Sequence, residues 1–200
     1  MKSIDPLLWV ISAIPYAVLA VYAALTEPPA LLLFAFSATA LHELGHFAAL
    51  ILFRAGEVGF DAAAFGFRIT PRGRMLSHVE EATVALAGPA VNITATLLCL
   101  PFCKASDAAI TFAAVNIILA ALNLLPISGL DGARALSATL ARCLSPDAAM
   151  AVTSCLSVAL SSLGCFFGLF LLLRGVGGLY IFCLFFSLLL RVVFARTTPL

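Results

Sequence analysis

Residues 28–53 read PPALLLFAFSATALHELGHFAALILF, a stretch long enough to cross the hydrocarbon core of a bilayer as one helix. Its apolar character is interrupted only by His42, Glu43 and His46. An ionisable residue in mid-membrane costs about 2.5–3.5 kcal/mol on insertion scales, so three together need a partner. Because the histidines are four residues apart, both imidazoles project from one helix face. A metal ion is the simplest partner, and packing of these side chains inside a helix bundle is the alternative.

The pattern HELGH is typical of a zinc site in which two neutral histidines bind the metal and the glutamate beside them takes a proton from bound water. Zinc lowers the pKa of that water to about 7, which supplies hydroxide at neutral pH. Catalytic zinc usually has three protein ligands, so the third must come from elsewhere in the chain. The candidates are His78, Asp107, Asp131 and the surface acids.

Asp131 is favoured as the third ligand because of the sequence around it. It lies in Pro126–Gly132, PISGLDG, where one proline and two glycines break a helix. Broken backbone at membrane depth is tolerated where it lines a buried site. The expected topology also places this break on the same side of the membrane as the two histidines. Asp131 could instead cap the helix that follows, and the two roles are compatible.

The composition of the whole chain excludes several classes of protein. Of 200 residues, 63% are hydrophobic and 10% are charged, with a net charge of +1. Soluble domains carry about 25% charged residues. These values exclude a soluble globular protein, a disordered chain and a nucleic-acid binder, so no nucleic-acid partner is expected. The six cysteines are expected to be packing residues rather than a disulfide framework.

Charged residues divide the chain into six predicted transmembrane helices: Pro6–Thr26, Pro28–Phe53, Ala82–Cys103, Ala108–Leu130, Ala148–Leu173 and a last segment from Gly175 to Ala195. Threading with both termini in the cytoplasm puts nine of the eleven lysines and arginines on the cytoplasmic side. The expected fold is therefore an all-α polytopic membrane protein. Residues 1–200 form a single six-helix core in a bacterial inner membrane, and its histidine site faces the cytoplasm.

Two long connections remain between these segments. Residues 54–81 form a cytoplasmic-side loop, in which Phe65–Ile69 alternates and Pro71-Arg72-Gly73 has turn chemistry. We therefore predict a short membrane-associated β-hairpin after the second helix, and a polar loop is the alternative. In the second connection, Ala133–Leu144 is predicted to form a short interfacial helix. Neither a PDZ nor a CBS domain is expected.

Two further polar clusters stand out in apolar helices. Asn123 lies eight residues before Asp131, and Gly88-Pro89-Ala90-Val91-Asn92 lies inside the third helix. Because a buried asparagine must find hydrogen bonds, each could join two helices, hold a substrate carbonyl or support the ligand loop. Pro89 would free a backbone carbonyl, and Asn116 is expected to be ordinary packing.

Together these motifs resemble the site-2 protease family of intramembrane zinc metalloproteases, over nearly the whole chain. The matching stretches are His42–His46, Gly88–Asn92, and Asn123–Pro126 followed by Leu130-Asp131-Gly132. The resemblance implies that His42, His46 and Asp131 bind zinc and that Glu43 is the general acid/base. It also implies that Asn123, Asn92, Gly88, Pro89 and Pro126 support the site or bind substrate, a single-pass membrane helix cut within or near the bilayer.

The spacing also resembles the subgroup that activates sporulation sigma-factor precursors. That subgroup often has a second glycine after the aspartate, whereas here Gly132 is followed by Ala133. The implied substrate is a sigma-factor precursor or an anti-sigma factor, with a membrane regulatory partner, and the oligomeric state stays open. Broken helices with intramembrane ionisable residues also occur in transporters, and a non-proteolytic membrane chaperone is a further alternative.

Overall fold

A computed structural model describes residues 6–55, 58–63, 66–71 and 75–197. This part of the chain contains seven α-helices: α1 (Pro6–Thr26), α2 (Pro29–Leu52), α3 (His78–Cys99), α4 (Asp107–Asn123), α5 (Asp131–Leu140), α6 (Pro146–Leu173) and α7 (Leu179–Thr197). A short 3₁₀ turn, Leu100–Phe102, continues α3. Two strands, β1 (Val58–Ala63) and β2 (Gly66–Pro71), lie between α2 and α3.

Local sequence explains where several helices begin. Ser77 and Glu80 form a capping box before α3, in which each side chain accepts a hydrogen bond from the backbone N–H of the other. Helices α2 and α6 begin with Pro29 and Pro146, at the first helical position, where a proline costs no hydrogen bond. These signals place the helices that carry and flank the histidines.

The predicted count of six transmembrane helices is wrong. Within the described residues, three helices are long and apolar enough to cross a membrane: Pro29–Leu52, His78–Phe102 and Pro146–Leu173. Uncharged sequence extends beyond the helices themselves, as in the fourth segment, which was expected to reach Leu130 whereas α4 ends at Asn123. With 17 residues, α4 rises only about 26 Å, less than the hydrocarbon core of about 30 Å. Helix α5 occupies the region of the predicted interfacial helix.

The predicted hairpin is wrong in its placement. Strands β1 and β2 pair antiparallel, with Val58 opposite Pro71 and Ala63 opposite Gly66, so the expected turn at residues 71–73 does not lie between them. Pro71, the first residue of that expected turn, is the last residue of β2. The sequence of β1, VGFDAA, is poor in the β-branched and aromatic residues that indicate a strand. Residues 65, 72 and 73 lie outside the described part of the chain.

Helix α3 lies at the centre of the fold and packs against α2, α4 and α5. Helix α6 packs against α5 and α7, and α1 packs against α7. The buried apolar residues at these contacts are mostly small: Ala38, Ala49, Ala85, Ala113, Ala120, Ala133, Ala135, Ala138 and Ala149. Small side chains let helix backbones approach closely, as they do in membrane helix bundles.

Large apolar side chains cover the outer surface. Leu25 is 80% exposed, Phe36 74% and Phe166 70%. Soluble monomers rarely expose contiguous apolar patches of more than a few hundred Å². This surface, with the three long apolar helices, supports the prediction of a membrane protein.

Candidate metal centre

The structure brings together the two histidines and the aspartate that the sequence predicts as metal ligands. His42 and His46 are buried on one face of α2, with their Nε2 atoms 3.1 Å apart. Asp131 is the first residue of α5, and its Oδ2 lies 2.9 Å from the His42 Nε2 and 3.1 Å from the His46 Nε2. The three atoms form a nearly equilateral triangle, which we call the ligand triangle.

The dimensions of the ligand triangle fit a metal ion. In a tetrahedral site with metal–ligand bonds of about 2.0–2.1 Å, the ligand atoms are roughly 3.3–3.4 Å apart. The observed separations of 2.9 to 3.1 Å are slightly shorter, so a small outward shift of the side chains accommodates an ion. Among the described residues, His42, His46 and Asp131 are the group whose side chains could hold a metal.

The outer ring nitrogens of both histidines are engaged by acceptors. His42 Nδ1 lies 2.8 Å from Asn92 Oδ1, and His46 Nδ1 lies 2.8 Å from the backbone carbonyl of Val84. Because both partners can only accept, each Nδ1 carries the proton and donates it. Each Nε2 then directs its lone pair into the ligand triangle, which is the arrangement that metal-binding histidines usually adopt.

Asn92 of α3 links His42 of α2 to α4. Its Nδ2 donates to the Ala38 carbonyl at 2.9 Å and to Asn116 Oδ1 at 2.8 Å, which fixes the orientation of the amide. Asn116 Nδ2 in turn donates to the Phe112 carbonyl of α4 at 2.9 Å. Asn92 is therefore placed to support a ligand. Asn116, which the sequence predicts to be ordinary packing, belongs to the same chain of bonds.

Gly88 lies directly against both imidazoles. A Cβ at this position would be 2.5 Å from His46 Nε2 and 2.8 Å from His42 Cε1, closer than real Cβ contacts allow. Residue 88 must therefore lack a side chain for the histidines to adopt this geometry. The neighbouring Pro89 is buried in α3, where it removes the N–H that would bond the carbonyl of Ala85.

The chain between α4 and α5, residues 124–130, forms the ligand loop that delivers Asp131. Pro126 is half-buried in this loop, and Gly129 has φ of +104°, a conformation that favours glycine. At Gly132 a Cβ would collide with the carbonyl of Leu124, so the start of α5 packs tightly on the end of α4. The helix break predicted from proline and glycine is therefore present.

The remaining candidate ligands lie elsewhere. His78 and Asp107 are exposed at the first positions of α3 and α4, outside the ligand triangle. Asn123 is half-buried, and its amide donates to the Leu119 carbonyl of its own helix at 3.1 Å. The N-cap of α5 is Leu130, which has no side-chain capping bond, so the capping role considered for Asp131 is not the one seen.

Charges around the site act on two carboxylates. Glu43 is half-buried, near the imidazoles of His42 and His46, the Asp131 carboxylate and the Arg134 guanidinium. Asp131 begins α5, outside the three long apolar helices. Burial raises the pKa of its carboxyl, but the two adjacent imidazoles, of His42 and His46, outweigh this effect and hold the pKa below its ordinary value. Asp131 is therefore an anionic ligand, with Arg134 Nη1 3.7 Å from its outer oxygen, Oδ1.

Fold and site together define a helical membrane protein with a buried His/His/Asp group that could hold a metal. The chain is similar in structure to the site-2 protease from Methanocaldococcus jannaschii, with a TM-score of 0.60 and 19% identity. This similarity covers 95% of this chain and 89% of that chain, so the expected site-2 protease fold is confirmed. The chain has no match to a protein-family model and no significant match to a curated protein.

Proposed function

We propose that this chain is an intramembrane zinc metalloprotease of the site-2 protease family. The ligand triangle carries the proposal, because it combines two neutral Nε2 atoms and one carboxylate oxygen on a site-2 protease fold. A zinc ion held by His42, His46 and Asp131 would polarise the scissile carbonyl and lower the pKa of a water molecule to about 7.

Glu43 is the general acid/base in this proposal. It follows His42 directly in the sequence, and it is half-buried beside the ligand triangle. Its carboxylate takes a proton from the attacking water and later delivers that proton to the leaving amine. Arg134 engages the outer oxygen of Asp131, which leaves Oδ2 directed at the histidines.

The substrate is a transmembrane or membrane-associated protein, such as a sigma-factor precursor or an anti-sigma factor. A helical peptide bond is protected by its own hydrogen bonds, so the substrate must be extended where it is cut. The Asn92 amide is engaged with His42, which makes it a ligand support rather than a substrate contact. Asn123, half-buried at the end of α4, is the better candidate to hold a substrate carbonyl.

The proposed setting follows from the distribution of charge. We propose that residues 1–200 form one core in a bacterial inner membrane, with the site towards the cytoplasm, because Arg54, Arg134 and Arg142 follow the ends of α2 and α4 nearest the site. Water reaches the site from that side, and a membrane regulatory partner is expected.

The test is Glu43→Gln in the full chain, co-expressed with a membrane protein substrate. The variant should keep stoichiometric zinc, because the ligand triangle is intact, whereas cleavage should fall by about 10²–10⁴-fold. Glu81→Gln, at a half-buried position near the start of α3, is the matched control and should cleave normally. Undiminished cleavage by Glu43→Gln would contradict the role of Glu43. Bound zinc in the purified wild type distinguishes a protease from a transporter, and turnover distinguishes it from a chaperone.

A further inference from the structure

A serine of α6 is bonded to the ligand loop. Ser157 is fully buried, and its Oγ accepts a hydrogen bond from the backbone N–H of Ser128 at 2.8 Å. The hydroxyls of the two serines are 2.9 Å apart. Ser128 precedes Asp131 by three residues, so a helix without a candidate ligand is joined to the segment that positions the metal-binding carboxylate.

The hydrogen-bonding capacity of Ser157 is fully used. Its hydroxyl lies 2.6 Å from the Thr153 carbonyl, the shortest of its contacts and the natural destination of its one proton. Its two lone pairs then accept from the Ser128 N–H and the Ser128 O–H. The Pro126 carbonyl, 3.4 Å away, is a weaker alternative acceptor. With the Ser157 proton on the Thr153 carbonyl, Ser157 receives the ligand loop on both of its lone pairs.

Helix α7 lies beside the ligand loop. The position that a Cβ would take on Gly129 lies 3.8 Å from Arg191 Nη1 and 3.9 Å from Leu188 Cδ2. Inside the loop, Leu130 donates to the Ile127 carbonyl at 2.9 Å, which closes a tight turn. Ser157 thus supplies a direct polar link between this turn and α6.

We propose that Ser157 is a positioning residue for the metal centre, which sets the Asp131 carboxylate through Ser128 and couples the position of α6 to metal affinity. This inference rests on the proposed function, because it requires that the ligand triangle holds a metal. It gives α6, which carries none of the sequence motifs, a role in metal binding.

The experiment is a titration of the purified full-length protein in detergent with Zn²⁺ and with Co²⁺, comparing Ser157→Ala with wild type. Loss of the hydroxyl should weaken metal affinity by about 2- to 10-fold, the usual net effect of a hydrogen bond. Ser161→Ala is the matched control: Ser161 is equally buried one turn along α6, and its hydroxyl has no hydrogen-bond partner among the described residues. Its metal affinity should equal that of wild type.

A second variant keeps the test decisive if Ser157→Ala does not fold. Ser128→Ala removes one of the two bonds and leaves the Ser128 N–H on Ser157, so its loss of affinity should lie between those of Ser157→Ala and Ser161→Ala. The Co²⁺ absorption spectrum should change in the same order, because it reports ligand geometry. Equal affinities for Ser157→Ala and Ser161→Ala, or for Ser128→Ala and wild type, would overturn the inference. A wild type that binds no metal would instead refute the proposed function itself.

Discussion

Gly88 is the residue on which the histidine geometry depends most directly. In Gly88→Ala the added methyl group would lie 2.5 Å from His46 Nε2, so the imidazoles must shift from the positions in which they meet Asp131. Disturbing the groups that orient metal ligands commonly costs 10- to 100-fold in metal affinity, and we expect a loss of at least about 10-fold here. Equilibrium dialysis with Zn²⁺ measures this loss.

The matched control for Gly88→Ala is Ala90→Gly, at an exposed position two residues along α3. Alanine is the better helix former, so Gly88→Ala does not weaken α3, whereas Ala90→Gly weakens it by about 1 kcal/mol. We expect Ala90→Gly to bind metal normally. A wild-type affinity in Gly88→Ala would show that the imidazoles are not held against this glycine.

Single residues were predictable from the sequence where their signal is local. His42, Glu43 and His46 are recognisable because four-residue spacing places the ligands on one helix face whatever the rest of the chain does. Asp131 is recognisable because proline and glycine mark the broken helix before it. Asn116 is different, since its partner Asn92 lies 24 residues away on another helix, and only packing brings the two amides together.

At the scale of helices, the hydrogen bonds from His42 through Asn92 to Asn116 tie α2 to α3 and α4. Asn116→Ala removes one of the two acceptors for Asn92 Nδ2 and leaves the Ala38 carbonyl, so the Asn92 amide is held less firmly against His42. We expect metal affinity to fall by about 2- to 10-fold, measured by Zn²⁺ titration. Asn123→Ala, on the same helix, breaks only a bond within α4 and should leave metal affinity unchanged. The opposite order would favour Asn123, the asparagine that the sequence motifs single out, as the ligand support.

The helices themselves were less predictable than the site. Charge spacing locates apolar stretches, but a helix ends where its hydrogen bonding ends, and Pro126 and Gly129 end α4 before the uncharged stretch does. For the hairpin, the alternation in β2 was visible, whereas β1 has no strand pattern of its own and is identified by its pairing with β2. Because β1 has no pattern of its own, the turn chemistry of Pro71-Arg72-Gly73 is the stronger local signal, and it lies at the end of β2 away from β1.

At the scale of the whole molecule, the ligand triangle joins α2 to α5 across 85 to 89 residues of sequence. A metal that binds only the folded protein stabilises it by about 2.7 kcal/mol at a concentration 100 times its Kd. We therefore expect Zn²⁺ to raise the Tm of the detergent-solubilised protein, and Asp131→Asn to lose most of that rise. Asp147→Asn, at an exposed position in the first turn of α6, keeps the ligand triangle and should show the full rise. An equal rise in Asp131→Asn and wild type would mean that the metal does not bridge α2 and α5.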